Sequence, residues 1–161
     1  MSKTSIGQRI IGSWETLRTK PGGKFLFSFL IGRVVPYSGS IGASVEELRP
    51  GYACLTLKDR RKVRNHLGSI HAISLANLGE LTTGLAAMAG MPANTRGILR
   101  GLEVSYEKKA RGRLTSTCSS QVVAPETNTE YSMQAEIRDE SGDIVARITT
   151  LWIIGPEKRA I

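Results

Sequence analysis

Asn65, Gly68, Ser69 and His71, followed nine residues after the histidine by Glu80, gather the residue types of this chain best suited to chemistry. From Ile70 to Met91 the sequence is apolar or small, except for His71, a few Ser, Thr and Asn residues and the single carboxylate of Glu80. An isolated acid in such a setting is costly unless it is paired, and its pKa rises, which suits a general base or a nucleophile. Glu80 is therefore either half of a structural pair or an acid kept for chemistry.

The residues upstream stand at a change from strand to helix. The first N–H groups of a helix have no intrahelical partner and point outward, where they can stabilise an oxyanion. Ser69 is the expected N-cap. Asn65 orients a water or a carbonyl, or is simply a turn residue. His71 contacts the reacting group, or is a structural histidine bonded to backbone. His66 is expected at the surface.

The elements that must position these groups follow from periodicity. Residues 69–90 read as one long helix, since about 20 residues is too long for a strand and Gly90 and Pro92 supply the stop. Its length would allow a bilayer span, but Glu80, Asn77 and the interspersed Gly, Ser and Thr argue against one. Leu78, Leu81, Leu85 and Met88 form a bulky stripe expected to pack on a sheet. Ile73, Ala76, Thr83, Gly84 and Ala87 share a smaller face with Glu80, expected to meet a partner helix or border a cleft.

Before this helix, Ile6, Ile10, Trp14 and Leu17 make an amphipathic stripe ended by Pro21-Gly22-Gly23. A second apolar run, Lys24 to Val35, reads as a helix stopping before Pro36. Residues 1–36 are thus expected as a helical segment packed on the core, and 37–161 as the single main domain. A membrane-surface anchor is the sharper reading of Phe25, Leu26, Phe27, Phe29 and Leu30, and packing on the core the plainer one. From Ser40 two short strands flank a turn at Arg49-Pro50-Gly51. After the long helix, about four antiparallel strands follow. Ile98, Leu102, Val104 and Tyr106 share a face, Leu114, Cys118 and Val122 another, and Tyr131, Met133, Ala135 and Ile137 point inward. A hairpin loop spans 139–143, and Ile144, Ala146, Ile148, Thr150 and Trp152 continue the inward face. An antiparallel sheet with one long helix on its face is an α+β layer architecture.

Bulk properties narrow the function. The 161 residues suffice for one self-supporting core. Cys54 and Cys118 stand apart, with no Cys-x-x-Cys or Cys/His cluster, so neither a disulfide framework nor a metal site is expected. The N-terminus, with Lys3 and Arg9, lacks the apolar core of a signal peptide, so a cytoplasmic protein is expected. A net charge of +8 implies attraction to something anionic. Nucleic acid is one class, but the basic runs lack interleaved aromatics, zinc-finger spacing or a basic helix, and no nucleic-acid partner is expected.

The pattern Asn65-x-x-Gly68-x-x-His71, followed by Glu80 on a long helix, resembles the hotdog-fold acyl-CoA thioesterases, in particular the phenylacetic-acid-degradation type with its His-Gly-Gly and downstream Asp or Glu. The resemblance implies an antiparallel sheet wrapped around one central helix, and hydrolysis of a thioester to a carboxylic acid and free coenzyme A. It implies no cofactor beyond the coenzyme A of the substrate, and two active sites at a homodimer interface, with a dimer of dimers as a further assembly. On this pattern Glu80 is the general base or nucleophile, the Ala72 N–H the oxyanion donor, and Asn65 and His71 their neighbours. Gly68, Ser69, Ile73 and Thr83 border the substrate. Where the family has Gly-Gly after the histidine, this chain has Ala72 and Ile73, which keep the N–H but bring side chains into that space. A non-hydrolytic acyl binder is the alternative that this departure leaves open.

Ala72 and Glu80 are separated by about 12 Å of helix, too far for one carbonyl carbon to meet both. Two antiparallel copies of the helix would bring Glu80 of one chain to Ala72 of the other. Arg60, Arg61, Lys62 and Arg64 before the helix, and Lys108, Lys109, Arg111 and Arg113 after the third strand, are candidates for the phosphates of coenzyme A. For any single one of them a solvated loop position is the plain alternative.

Overall fold

The computed structural model describes residues 6–121 and 125–157. Lys3, Val122 and the side chain of Ile6 lie outside the described residues. The order is α1 (Ile6–Arg18), α2 (Gly23–Val34), α3 (Pro36–Gly39), β1 (Ser44–Arg49), β2 (Tyr52–Leu57), α4 (Ala72–Gly90), β3 (Thr95–Tyr106), β4 (Leu114–Ser119), β5 (Thr129–Arg138) and β6 (Ile144–Pro156). The six strands form one antiparallel sheet in the order β1-β2-β4-β5-β6-β3, leaving β1 and β3 as its edges. Helix α4 touches every one of the strands, which a flat sheet does not permit, so the sheet curves around the helix.

Turn chemistry accounts for the hairpins. Gly51 takes φ +76° between β1 and β2, and Gly142 takes φ +85° between β5 and β6, a region that side chains with a Cβ rarely adopt. The inward faces of β5 and β6 are as the alternation predicts: Met133, Ala135, Ile137, Ala146, Ile148, Thr150 and Trp152 are all buried.

On β3 the alternation misleads at one end. The ladder to β6 slips between Leu99 and Gly101, where Arg100 is the extra residue of a bulge. Across that slip the phase changes, so Leu99, opposite Trp152, shares the inward face with Val104, and Ile98 lies on the other face and is exposed.

The expected stripe of α4 divides between the sheet and the N-terminal helices. Leu81, Leu85 and Met88 line a small cavity with Ile10 of α1 and Ile31 of α2, whereas Leu78 is fully buried one turn from Thr82. Small residues beside Leu78 face the strands as well: the Thr82 hydroxyl sits between Leu78 O (2.7 Å) and Ser116 Oγ of β4 (2.8 Å), and Gly79 lies against Ile148 of β6. Thr83 and Ala87 are buried within this one chain, and Gly84 lies beside the Trp152 indole, so most of the small face is already covered. The curved sheet approaches the helix most closely where its side chains are small. A Cβ on Gly79 would collide with Ile148. Gly79→Val is therefore expected to lower stability by about 1–3 kcal/mol, read as a fall in the urea midpoint.

The N-terminal segment packs through few side chains. Trp14 and Phe27 are buried and meet edge to face, with ring centroids 5.1 Å apart. Phe25, Leu26, Phe29 and Leu30 are exposed, so of the five residues with a membrane-surface reading only Phe27 packs on the core, joined further along the helix by the partly buried Ile31.

Candidate functional site

The loop before α4 is built on Asn65. Its Oδ1 accepts from the N–H groups of Leu67 (2.9 Å) and Ser69 (3.2 Å), its Nδ2 lies 3.1 Å from Ser69 Oγ, and its backbone N–H donates to Ser69 O (2.8 Å). Gly68 supplies φ +67° for this turn. The Asn65 amide is thus engaged by its own loop, and Ser69 is buried against it.

Helix α4 begins at Ala72, and its cap is His71 rather than Ser69. The Ile70 N–H donates to Ala110 O (2.9 Å) and the His71 N–H to Val63 O (2.8 Å), so residues 70 and 71 are tied to neighbouring segments and the helix turns only after them. The imidazole Nδ1 accepts from the Ile73 N–H at 3.1 Å, while the N–H groups of Ser74 and Leu75 donate to His71 O. Among the described residues, the Ala72 N–H is left as the one donor of this first turn without an acceptor. Tyr106 of β3 closes over the same turn, its hydroxyl donating to Ala72 O at 3.0 Å. Ile73 is exposed beside it.

Glu80 lies two turns further along, beneath α1, α2 and α3. It borders a small cavity of about 80 Å³ lined with Ile10, Ile31, Leu81, Leu85 and Met88, and Ser38 of α3 donates to its Oε2 at 3.3 Å. No cation pairs with it among the described residues. Burial pushes its pKa up, and the Ser38 hydrogen bond offsets this only in part. The Thr83 hydroxyl bonds Glu80 O (2.9 Å) and is fully buried, so this chain does not bring Thr83 to a surface.

The two basic clusters, far apart in sequence, converge beside the start of α4. Asp59 joins them: it pairs with Arg64 at 2.6 Å, accepts from the Gly112 N–H at 3.0 Å, and is held below the usual carboxylate range chiefly by the Arg64 hydrogen bond, with Arg111 adding to the effect. Arg64 is therefore committed, as are Lys108, on Asp139 and Asp143 (2.7 Å each), and Arg113, on Glu46. Arg60 donates to Ile41 O (2.7 Å). Arg61, Lys62, Lys109 and Arg111 are exposed and form no ion pair among the described residues, which leaves them available to an anion.

Three residues with a bearing on the site escape sequence reasoning. Ser38 and Tyr106 reach it from elements distant in sequence, and nothing in their local pattern marks them. Asn77, one turn before Glu80, is buried with its Oδ1 lacking a hydrogen-bond partner among the described residues. Its place three residues from Glu80 on a helix is the signal that could have found it. Both thiols are free, and burial pushes Cys118 up to about 11, far from a nucleophile's range. Among the described residues no cluster of His, Cys, Asp or Glu is suited to hold a metal, and no helix is long and apolar enough to cross a membrane.

Comparison with known proteins agrees with this architecture. The family model described as a domain of unknown function, DUF4442, matches residues 23–154. A structural-genomics crystal structure is 30% identical to this chain, with a TM-score of 0.78, covering 94% of this chain and 98% of its own. A Pseudomonas aeruginosa protein described as of unknown function and a probable thioesterase is 22% identical with a TM-score of 0.71, over 80% of this chain and 93% of its own. A Staphylococcus aureus thioesterase, solved as a mutant, is 15% identical with a TM-score of 0.65, over 75% and 99%. No curated protein matches the chain. The match over 23–154, the likeness to these solved structures and the curved sheet around α4 place the chain in one group: it belongs to the DUF4442 family and has the hotdog fold.

Proposed function

We propose that the protein is an acyl-CoA thioesterase whose reaction centre combines Glu80 of one chain with the Ala72 N–H of a second. The observation that carries this reading is on α4: a half-buried carboxylate without a cation, and a helix start at which His71 capping leaves one N–H free. The solved neighbours described as thioesterases share the fold and add support. In the reaction Glu80 takes a proton from water as the water oxygen attacks the thioester carbonyl carbon, and the oxyanion is stabilised by the Ala72 N–H. The intermediate then collapses, the C–S bond breaks, and the proton held by Glu80 goes to the departing coenzyme A thiolate. Direct attack by the carboxylate, with water opening the resulting anhydride, is the covalent form of the same chemistry. A pKa raised by burial makes Glu80 a stronger base near neutral pH than an ordinary glutamate.

A homodimer is supported by β3. This strand of 12 residues is an unpaired sheet edge, and Ile98, Leu102 and Tyr106 on it are exposed. Such an edge invites strand pairing, and two-fold pairing of β3 with its copy joins the two sheets and sets the α4 helices side by side. Arg61, Lys62, Lys109 and Arg111 would then receive the phosphates of coenzyme A near the start of α4.

A thiol-release assay over short, long and aromatic acyl-CoAs tests the reading. Thiol release above the uncatalysed rate on at least one of them is expected. Binding across the panel with no release would assign the same cleft to a non-hydrolytic acyl-CoA binder.

A further inference from the structure

Helix α2 keeps only Phe27 and Ile31 of its large apolar side chains for the rest of the protein. At about 100° per residue, Phe25, Phe29, Leu26, Leu30 and Val34 fall within one half of the helix circumference, on the side away from Phe27, Ile31 and Ser28. All five are exposed, Phe25 by 75% and Phe29 by 54%. Arg33 is the one charged residue inside that arc. An exposed apolar arc of this kind marks a surface that is covered by something.

Charge points to what covers it. Between residues 6 and 45 the chain carries five cations, Arg9, Arg18, Lys20, Lys24 and Arg33, of which Arg18 pairs with Glu15 and Lys24 with Glu46, leaving Arg9, Lys20 and Arg33 without an ion pair among the described residues. A second copy laid on the same face would set Arg33 and these cations against their own images, in a chain whose net charge is already +8. An anionic partner removes that conflict. The patch also continues inward: Phe25 and Phe29 line a cavity of about 580 Å³ between α2, α3 and the start of β1, with Ile31, Val45 and Leu81 at its apolar wall and Arg33 and Arg60 on its rim. A hydrocarbon chain fits such an opening, and a folded partner surface would leave it empty. Helix α2 packs against β1, at the opposite edge of the sheet from β3, so pairing through β3 leaves this face free.

We propose that α2 docks the protein on an anionic bilayer surface, with the Phe25, Leu26, Phe29 and Leu30 face among the upper acyl chains and Lys20 and Arg33 at the headgroups. This is interfacial binding in the plane of the membrane rather than insertion. It is independent of the thioesterase reading and is tested without an activity assay.

Co-sedimentation of the full chain with vesicles of phosphatidylcholine alone, and with vesicles of equal parts phosphatidylcholine and phosphatidylglycerol, reads the proposal. The wild type is expected to bind the mixed vesicles, less so at high salt, and to bind phosphatidylcholine several-fold more weakly. Phe25→Ser with Phe29→Ser should weaken binding by about tenfold or more, since two exposed aromatic rings lose their apolar burial. Arg33→Gln should weaken it by about fivefold on the mixed vesicles alone. Both rings are exposed, so circular dichroism and the thermal midpoint of the double variant should match the wild type. Wild type that stays in the supernatant with both vesicles overturns the proposal. So does undiminished binding by the double variant, or a double variant whose only change is a smaller oligomer, which would give this face to a second copy.

Discussion

Glu80→Gln is expected to lower kcat for thioester hydrolysis by about 100-fold to 10,000-fold, the range that a positioned general base contributes, and at the same time to make the folded protein more stable at neutral pH. The two effects have one cause. Burial raises the Glu80 pKa, so the folded chain binds that proton more tightly than the unfolded chain does. The resulting stabilisation is fully present below the unfolded pKa of glutamate and is lost as pH rises through the higher folded value. At neutral pH the charged carboxylate is held in a setting that favours its neutral form, and glutamine, neutral and nearly the same shape, relieves this. Each kcal/mol relieved appears as a rise in thermal midpoint of about 2–4 °C in a domain near this size. The gain should vanish when wild type and variant are compared well below pH 4, where both side chains are neutral. A variant that keeps wild-type kcat removes Glu80 from the chemistry, and one without the pH-dependent gain in midpoint removes the burial argument.

Leu102→Lys is expected to produce a folded monomer that has lost activity by more than about tenfold. Leu102 is exposed on the free edge strand β3, opposite Thr150 of β6, so a lysine there adds charge to the face where two copies would meet without opening the core of either. Symmetry doubles the effect, because each interface then carries two new cations. On the cross-chain geometry, separating the chains leaves about 12 Å between Glu80 and the Ala72 N–H of the same helix, too far to act on one carbonyl. Light scattering gives the mass, far-UV circular dichroism the fold and thiol release the activity. A monomer with wild-type kcat would place the whole reaction within one chain, and an unchanged dimer would move the interface away from β3.

Much of the fold was legible because local rules and the global arrangement agree. The Pro50-Gly51 turn, the alternation on β5 and β6 and the uninterrupted helix ending at Gly90 each carry their own signal, and each matches the structure. The α4 faces were legible only in part, because hydrophobic periodicity reports that a face is buried without saying against what. A stripe of leucines serves equally for a sheet or for two helices. Only the closeness of the curved sheet, felt at Gly79 against Ile148 and at Thr82 against Ser116, shows that small residues beside Leu78 meet the strands.

The candidate site divides in the same way. Sequence by itself determined which groups are available: the lone acid at Glu80, the His71-Ala72 start of the helix, the basic residues on two loops and an excess of positive charge. These follow from residue type and from spacing along one helix, which the chain carries locally. Tertiary structure alone decided that Asn65 and Ser69 serve their own loop, that His71 rather than Ser69 caps α4, that Asp59 draws the two basic loops together, and that Ser38 and Tyr106 arrive from elsewhere. Hydrogen bonds between residues distant in sequence depend on where the sheet curls and the loops meet, and no local pattern encodes that. The same holds for α2, whose apolar run reads alike for a buried and a docking helix until packing has taken Phe27 and left Phe25, Leu26, Phe29 and Leu30 outside.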